Sequence, residues 1–199
     1  MALALNKTTL KQQRDQLKMF RRFLPSLDLK RQQLLAALKQ ARGELAEVEQ
    51  QVEQLEQRLE DLYPLLGSST AATRNLASLV QVRGVRVEEE NMLGTRLPVA
   101  REVDFDVADY SRLVTPFWVD LLIDVLKQLA ELRIHLQVRQ ERVVRLDYAA
   151  RRLTQRVNLF EKVLIPQAVK NIRKIVIFLS DQERAAVVRS KLAKKKHAD

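Results

Sequence analysis

At 199 residues the chain has room for one or two ordinary domains, yet four Gly and five Pro leave little material for turns, and aromatics are only 5%. Charged residues make up 30% of it, with a formal net charge of +10. That balance suits long helices and coiled coil better than a compact globule. With no Cys, disulfide scaffolds, thiolate metal sites and Cys nucleophiles are excluded, and a reducing compartment fits.

The opening residues, Met1 to Lys7, hold too short an apolar run for a secretory signal. No run approaches the roughly 18 apolar residues of a membrane span, so the chain is expected to be soluble and cytoplasmic, without direct membrane insertion.

The first predicted element is a helix from about Lys7 to about Leu66, in an N-terminal segment taken as 1–66. Its apolar stripe runs Leu17, Phe20, Leu24, Leu27, then Arg31, Leu34, Leu38, Ala41, Leu45, Val48, Val52, Leu55, Leu59 and Leu62. Steps of three and four persist throughout, which is the seam of a coiled coil. Some 60 residues at about 1.5 Å each predict a rod of roughly 90 Å. Pro25 lies inside the pattern, and because the register continues through it, it predicts a bend and not a boundary.

The middle segment, 67–115, changes character. Gly67 to Ala72 end the helix with small and polar residues. Val80, Val82, Val85 and Val87 then alternate as a strand does, slipping by one at Arg83-Gly84 as a bulge would. Leu97, Val99, Val103 and Phe105 alternate beyond a polar loop, Glu88 to Arg96, and Pro98 confines this second strand to an edge. Together they predict a β-hairpin head with Trp118 nearby.

Thr115 as N-cap and Pro116 at the first helical position open the last segment, 116–199. Its seam is Trp118, Leu122, Val125, Leu129, Leu132 and Leu136, then, after Arg139, Val143, Leu146, Ala150, Leu153, Val157, Phe160 and Leu164. A break or bend is expected near Pro166, after which Val169, Ile172, Val176 and Leu179 resume the stripe. Lys191 to Asp199 read as a basic tail. The fold class is therefore mainly α, a long antiparallel two-helix coiled coil with a small β-hairpin-containing middle segment.

Charge is unevenly placed along these helices. Lys7, Lys11, Arg14, Lys18, Arg21, Arg22, Lys30 and Arg31 face only Asp15 and Asp28 in their stretch. Arg151, Arg152, Arg156, Lys170, Arg173, Lys174, Arg184, Arg189 and Lys191 crowd the other helix at the same end. The far end of the first helix is acidic, from Glu44 to Asp61. For any single residue, a solvated coiled-coil face suffices. For the whole pattern, two like-charged helix ends repel unless an acidic partner surrounds them.

Nucleic acid would be one such partner, but zinc-ligand spacing, a basic region running into a parallel zipper and a basic–aromatic platform are all missing from the sequence. His135 and His197 are too few and too distant for a metal site. Arg31 and Arg139, at seam positions, read as register-setting residues. No Gly-rich phosphate loop, nucleophile triad or cofactor motif is present, so catalysis within this chain is not expected and no cofactor is called for.

The tail of the second seam carries a resemblance. Arg156-Val157-Asn158, Glu161 three residues on and then Ile165-Pro166 resemble the C-terminal signature of the D subunit of V-type and archaeal A-type rotary ATPases. Ile172, Ile175, Leu179 and the run Asp181-Gln182-Glu183-Arg184 sit where that family carries its last helix. Pro25 departs from the family pattern, which is continuously helical there.

The resemblance implies a non-catalytic rotor shaft that couples ATP hydrolysis or synthesis in a catalytic ring to H⁺ or Na⁺ translocation. It implies as partners the A and B subunits of the ring, a small F subunit in the stalk, and a funnel-shaped C/d subunit reaching the membrane ring, with peripheral membrane association through the complex. On that reading the ring contacts fall on Lys7, Arg14, Arg21, Arg22, Arg184, Arg189 and Lys191, and contacts to stalk subunits on Val85, Val87, Leu97, Val99 and Trp118. The alternative is a generic antiparallel coiled-coil adaptor that docks on an acidic protein surface.

Overall fold

The structure, a computed structural model, describes residues 3–61, 64, 80–108 and 118–196. Helix α1 (Lys7–Asp61) is followed by strands β1 (Val80–Met92) and β2 (Thr95–Val107). Helix α2 (Trp118–Leu159) then runs through a π-helical turn (Phe160–Leu164) into helix α3 (Ile165–Lys196). The architecture is mainly helical with one small two-stranded antiparallel sheet, as the two periodicities predict. The end of the first helix at Leu66, the Gly67–Ala72 stretch and the Thr115–Pro116 cap lie outside the described residues.

Asn6 caps α1: its side-chain oxygen accepts the Thr9 amide at 2.7 Å and its carbonyl accepts the Leu10 amide at 3.0 Å. That satisfies donors which the first helical turn otherwise leaves open. By packing, the chain falls into two compact units: a middle unit, residues 33–150, and a terminal unit built from the chain up to Gln32 and from Arg151 onward.

In the middle unit the second half of α1 runs antiparallel to α2. Leu34, Leu38, Ala41, Val48, Val52 and Leu55 of α1 are buried, as are Leu122, Leu129, Leu146 and Ala150 of α2. These are the predicted seam positions. Val48, Val52, Leu55 and Leu129 form one apolar cluster, with Leu59, Val125, Leu132 and Leu136 packed against it. Arg42–Asp147 at 3.2 Å, Arg139–Glu44 at 3.0 Å and Arg133–Glu56 at 2.7 Å bridge the two helices alongside the seam. Arg139, a seam position, thus pairs across the helices with Glu44, and part of the acidic stretch of α1 is neutralised by arginines of α2.

The hairpin differs from expectation in two ways. The stretch Glu88 to Arg96 is not a loop. Both strands continue through it, Met92 pairs with Thr95, and the connection is Leu93-Gly94 alone. Both residues have positive φ, 54° and 89°, the signature of the type I′ turn that matches strand twist. The Gly94 amide donates to the Asn91 side-chain oxygen at 3.0 Å. A Leu in a left-handed conformation and a run of three glutamates conceal this turn in the sequence.

Nor is the hairpin a head. Its base, Val80 and Val107, packs with Trp118, Val119, Leu122 and Ile123 at the start of α2. Its tip is held at the far end of that helix's middle. Arg142 pairs with Glu90 at 3.3 Å, Arg145 with Glu89 at 3.7 Å, and Arg145 also donates to the Arg96 carbonyl at 3.0 Å. Thirteen-residue strands span about 43 Å, and the 24 or so residues from the start of α2 to Arg142 span about 36 Å. The hairpin therefore lies lengthwise along α2.

The predicted slip at Arg83-Gly84 is present, since Val82 pairs with Phe105 and Gly84 with Asp104. A second slip follows, with Arg86 opposite Glu102 and Val87 opposite Ala100. Each extra residue adds local twist to the ribbon.

In the terminal unit the first part of α1 runs antiparallel to the end of α2, the π turn and α3. Lys7 faces Glu183 at 3.8 Å, Gln13 accepts from Asn171 at 3.2 Å, and the Phe20 and Phe160 rings meet edge to face with centroids 5.4 Å apart. Val157, Ala168 and Ile175 are buried on one side. Their α1 counterparts Leu10, Leu17, Phe20, Leu24 and Leu27 are only half-buried. Near Pro166, where a break or bend is expected, the chain stays helical but widens into the π turn just before it.

Candidate functional site

Two surfaces carry the residues singled out by the sequence. On the terminal unit, Lys7, Arg14, Arg21, Arg22, Arg184, Arg189 and Lys191 are all exposed. Arg14 and Arg21 share one face of α1, being seven residues apart. Lys7 is held at Glu183, next to Arg184. Arg14, Arg21, Arg22, Arg184, Arg189 and Lys191 have no ion-pair partner among the described residues. The charge expected from the sequence is thus left open to solvent on both helices.

Exposed cations without partners attract anionic surfaces over about 8–10 Å at physiological ionic strength, and a field of one sign steers association. Among the described residues no group of His, Asp and Glu could bind a metal ion. Among the described residues no helix is long and apolar enough to cross a membrane. His135 sits beside Glu131 at 3.9 Å on one face of α2.

Seam position Arg31 behaves differently. It pairs with Asp28 at 2.5 Å, and Arg31 Nε is buried without a hydrogen-bonding partner. At 28% and 34% side-chain exposure the pair sits at the edge of the seam, not inside it.

The second surface is the hairpin. Of the five residues named for stalk contacts, Leu97 is fully buried at 0% exposure and Trp118 is buried among Val119, Leu122 and Ile123. Both spend their apolar surface inside the chain. Val99 is half-buried. Val85 and Val87 remain open at 39% and 48%, and Val82, not singled out by the sequence, joins them at 45%. Val82 lies across from Phe105 and Val85 across from Val103, so the open residues form part of one apolar sheet face. Val82 belongs to the same alternation as Val85 and Val87 once the slip at Arg83-Gly84 is counted.

The signature residues gather around the π turn. Val157 is buried in the seam, Asn158 and Ile165 are half-buried beside it, and Arg156, Glu161 and Pro166 are exposed. Glu161 lies within the wide turn, and Ile165-Pro166 begin the helix after it.

Similarity to known proteins extends over nearly the whole chain. Residues 9–195 match the family described as the ATP synthase D subunit. The V-type ATP synthase D subunit of Borreliella burgdorferi is 37% identical over 194 residues, 96% of this chain and 93% of that protein. Those of Chlamydia pneumoniae and Chlamydia trachomatis are 33% and 34% identical, covering 96% and 98% of this chain and 91% and 95% of theirs.

Proposed function

Because the chain belongs to the ATP synthase D-subunit family, we propose that it is the central rotor shaft of a V/A-type ATPase or ATP synthase. It couples nucleotide turnover in a ring of A and B subunits to H⁺ or Na⁺ translocation, and is itself non-catalytic. It associates with the membrane peripherally, through the complex. The observation that carries the reading is the contrast in charge. The terminal unit leaves Arg14, Arg21, Arg22, Arg184 and Arg189 without ion-pair partners among the described residues, whereas the arginines between the helices of the middle unit are matched by carboxylates. The unpaired set is suited to enclosure by an acidic cavity, and Lys7, Arg14, Arg21, Arg22, Arg184, Arg189 and Lys191 are the proposed ring contacts.

A shaft needs no chemistry of its own. It presents different side chains to each of three catalytic interfaces and thereby biases each towards a different nucleotide affinity, a population shift driven by differential contacts. The stalk partners, a small F subunit and a funnel-shaped C/d subunit, dock on the rest of the chain. The open hairpin face at Val85 and Val87, with Val99 at its border, is the proposed contact for one of them.

The test is reconstitution. Purified A and B subunits are mixed with this chain, or with the Arg21→Glu/Arg22→Glu/Arg184→Glu variant, and complex formation and ATP-driven rotation are followed. The wild type should assemble and rotate, and the variant should bind at least tenfold more weakly. Equal assembly by both would remove the basic end as the ring contact. Failure of the wild type to bind A and B while docking on other acidic proteins would leave only the coiled-coil adaptor.

A further inference from the structure

The two long edges of the hairpin are not alike. A two-residue type I′ turn makes its flanking pair, Met92 and Thr95, a doubly hydrogen-bonded one, and pairs then alternate between bonded and non-bonded. Counting back from the turn, Glu90–Leu97 and Glu88–Val99 are bonded pairs, and Glu89–Pro98 and Val87–Ala100 are non-bonded. Pro98 has no N–H to give to a ladder, so its place in a non-bonded pair agrees with the count.

In a non-bonded pair the backbone groups point away from the partner strand. On β1 the alternation runs unbroken from Met92 back to Gly84, because the second slip adds its extra residue, Arg101, to β2. The N–H and C=O groups of Val85, Val87 and Glu89 therefore point out along the free edge of β1. The outer edge of β2 lacks a donor at Pro98, one of the devices that keep sheet edges from pairing. No third strand pairs with β1 among the described residues.

Side chains deepen the asymmetry. Residues two apart in a strand share a face, so the outward backbone of Val85 and Val87 comes with side chains on the apolar face, 39% and 48% exposed. On the opposite face the charges are already matched, Arg86 with Glu102 at 3.1 Å and Arg101 with Glu88 at 2.9 Å. Glu89 is held by Arg96 and Arg145, each at 3.7 Å. Arg83, exposed at the far end of the open stretch, has no ion-pair partner among the described residues.

We propose that the β1 edge accepts a strand from a partner protein, extending the hairpin to a three-stranded sheet. The edge defines that partner. It is an extended segment whose backbone meets Val85, Val87 and Glu89, with apolar side chains at alternate positions and a carboxylate within reach of Arg83. In such pairing main-chain bonds supply the affinity and alternate side chains the selectivity. The partner's identity rests on the stalk reading above, which assigns the hairpin face to a stalk subunit. The mode of docking rests on the register alone.

Amide exchange of the isotope-labelled full-length chain, read by NMR with and without the purified F or C/d subunit, tests it. In the free chain Val85, Val87 and Glu89 should exchange at least tenfold faster than Glu88 and Glu90. With the subunit that binds, those three amides should slow at least tenfold. Two substitutions then separate backbone from side chain. Val87→Pro removes an outward N–H but no ladder bond, as Pro98 does on β2, and should weaken binding at least tenfold while Glu88 and Glu90 stay protected. Val87→Thr keeps the N–H and the side-chain shape and should bind nearly as the wild type does. Should Val87→Pro loosen the ladder, protection of the three wild-type amides on binding decides the matter. Slow exchange of those amides in the free chain would overturn the proposal: slowing that disappears on dilution would identify a second copy as the occupant, and slowing that persists would mean the chain covers its own edge. Equal losses in the two variants would reduce the contact to side chains on the face. Full binding by Val87→Pro would overturn strand addition and leave the stalk reading standing, whereas a wild type that binds neither subunit would remove both.

Discussion

The middle and terminal units use the same seam periodicity and reach different states of completion. In the middle unit, α1 contributes six buried residues, Leu34 to Leu55. Three Arg–carboxylate bridges flank the seam, and the hairpin is pinned along α2 by Arg142 and Arg145. In the terminal unit no described α1 residue before Leu34 is buried. Arg14, Arg21, Arg22, Arg184 and Arg189 face solvent there, and the seam holds a π turn, with a charged pair at its edge. A coiled coil whose burial and charge are satisfied internally is finished on its own. One that leaves both open to solvent on the same stretch keeps an apolar and cationic surface free for contact.

Core truncation should separate the units most sharply. Leu146, 1% exposed, lies in the complete seam, and Leu146→Ala should cost about 2–5 kcal/mol. Leu24→Ala, at a half-buried position, should cost less than half as much. Urea unfolding followed by circular dichroism reads both, and equal losses would erase the contrast in packing.

Charge comes next. Arg21→Glu/Arg22→Glu should leave unfolding of the isolated chain unchanged or slightly improved, because it relieves like-charge repulsion. The same change should weaken binding to the ring of A and B subunits at least tenfold, or about 1.4 kcal/mol. A loss of chain stability without loss of binding would reverse the assignment of those arginines.

In the middle unit the same test should come out the other way. Arg139→Ala removes a part-buried bridge to Glu44 and should destabilise the chain by about 1 kcal/mol. Its ring binding should stay as it was. Pairing Arg139→Ala with Glu44→Ala in a double-mutant cycle isolates the bridge itself, and a coupling near zero would make it ornamental.

The smallest effect belongs to the hairpin turn. Leu93 adopts a left-handed conformation at φ 54°, which costs an L-residue roughly 1–2 kcal/mol. Leu93→Asn should return up to about 1 kcal/mol, seen as slower exchange of the strand amides with the slow core amides unaffected. No gain would mean that the Leu93 side chain makes compensating contacts.

The elements differ in how far they could be read without coordinates. Both seams were legible from Leu17 onward because apolar spacing at three and four has one interpretation over so many turns. The hairpin was legible only as two strands. Its tight turn was hidden by Leu93 and by the Glu88-Glu89-Glu90 run. That run reads as solvent-facing loop until Arg142 and Arg145 supply its countercharges from some 50 positions away. Leu97 and Trp118 looked available to a partner for a similar reason, since an apolar residue in sequence does not disclose which apolar surface covers it.

The sequence alone determined the helices, the antiparallel pairing of the two seams, the basic ends and the family, because each depends on local spacing, composition or a short motif. Tertiary structure decided which cations stay unpaired, along which face the hairpin lies, and how the chain passes Pro166. Those outcomes turn on groups far apart in the chain or on a one-residue change of hydrogen-bond register, and local pattern carries no record of either.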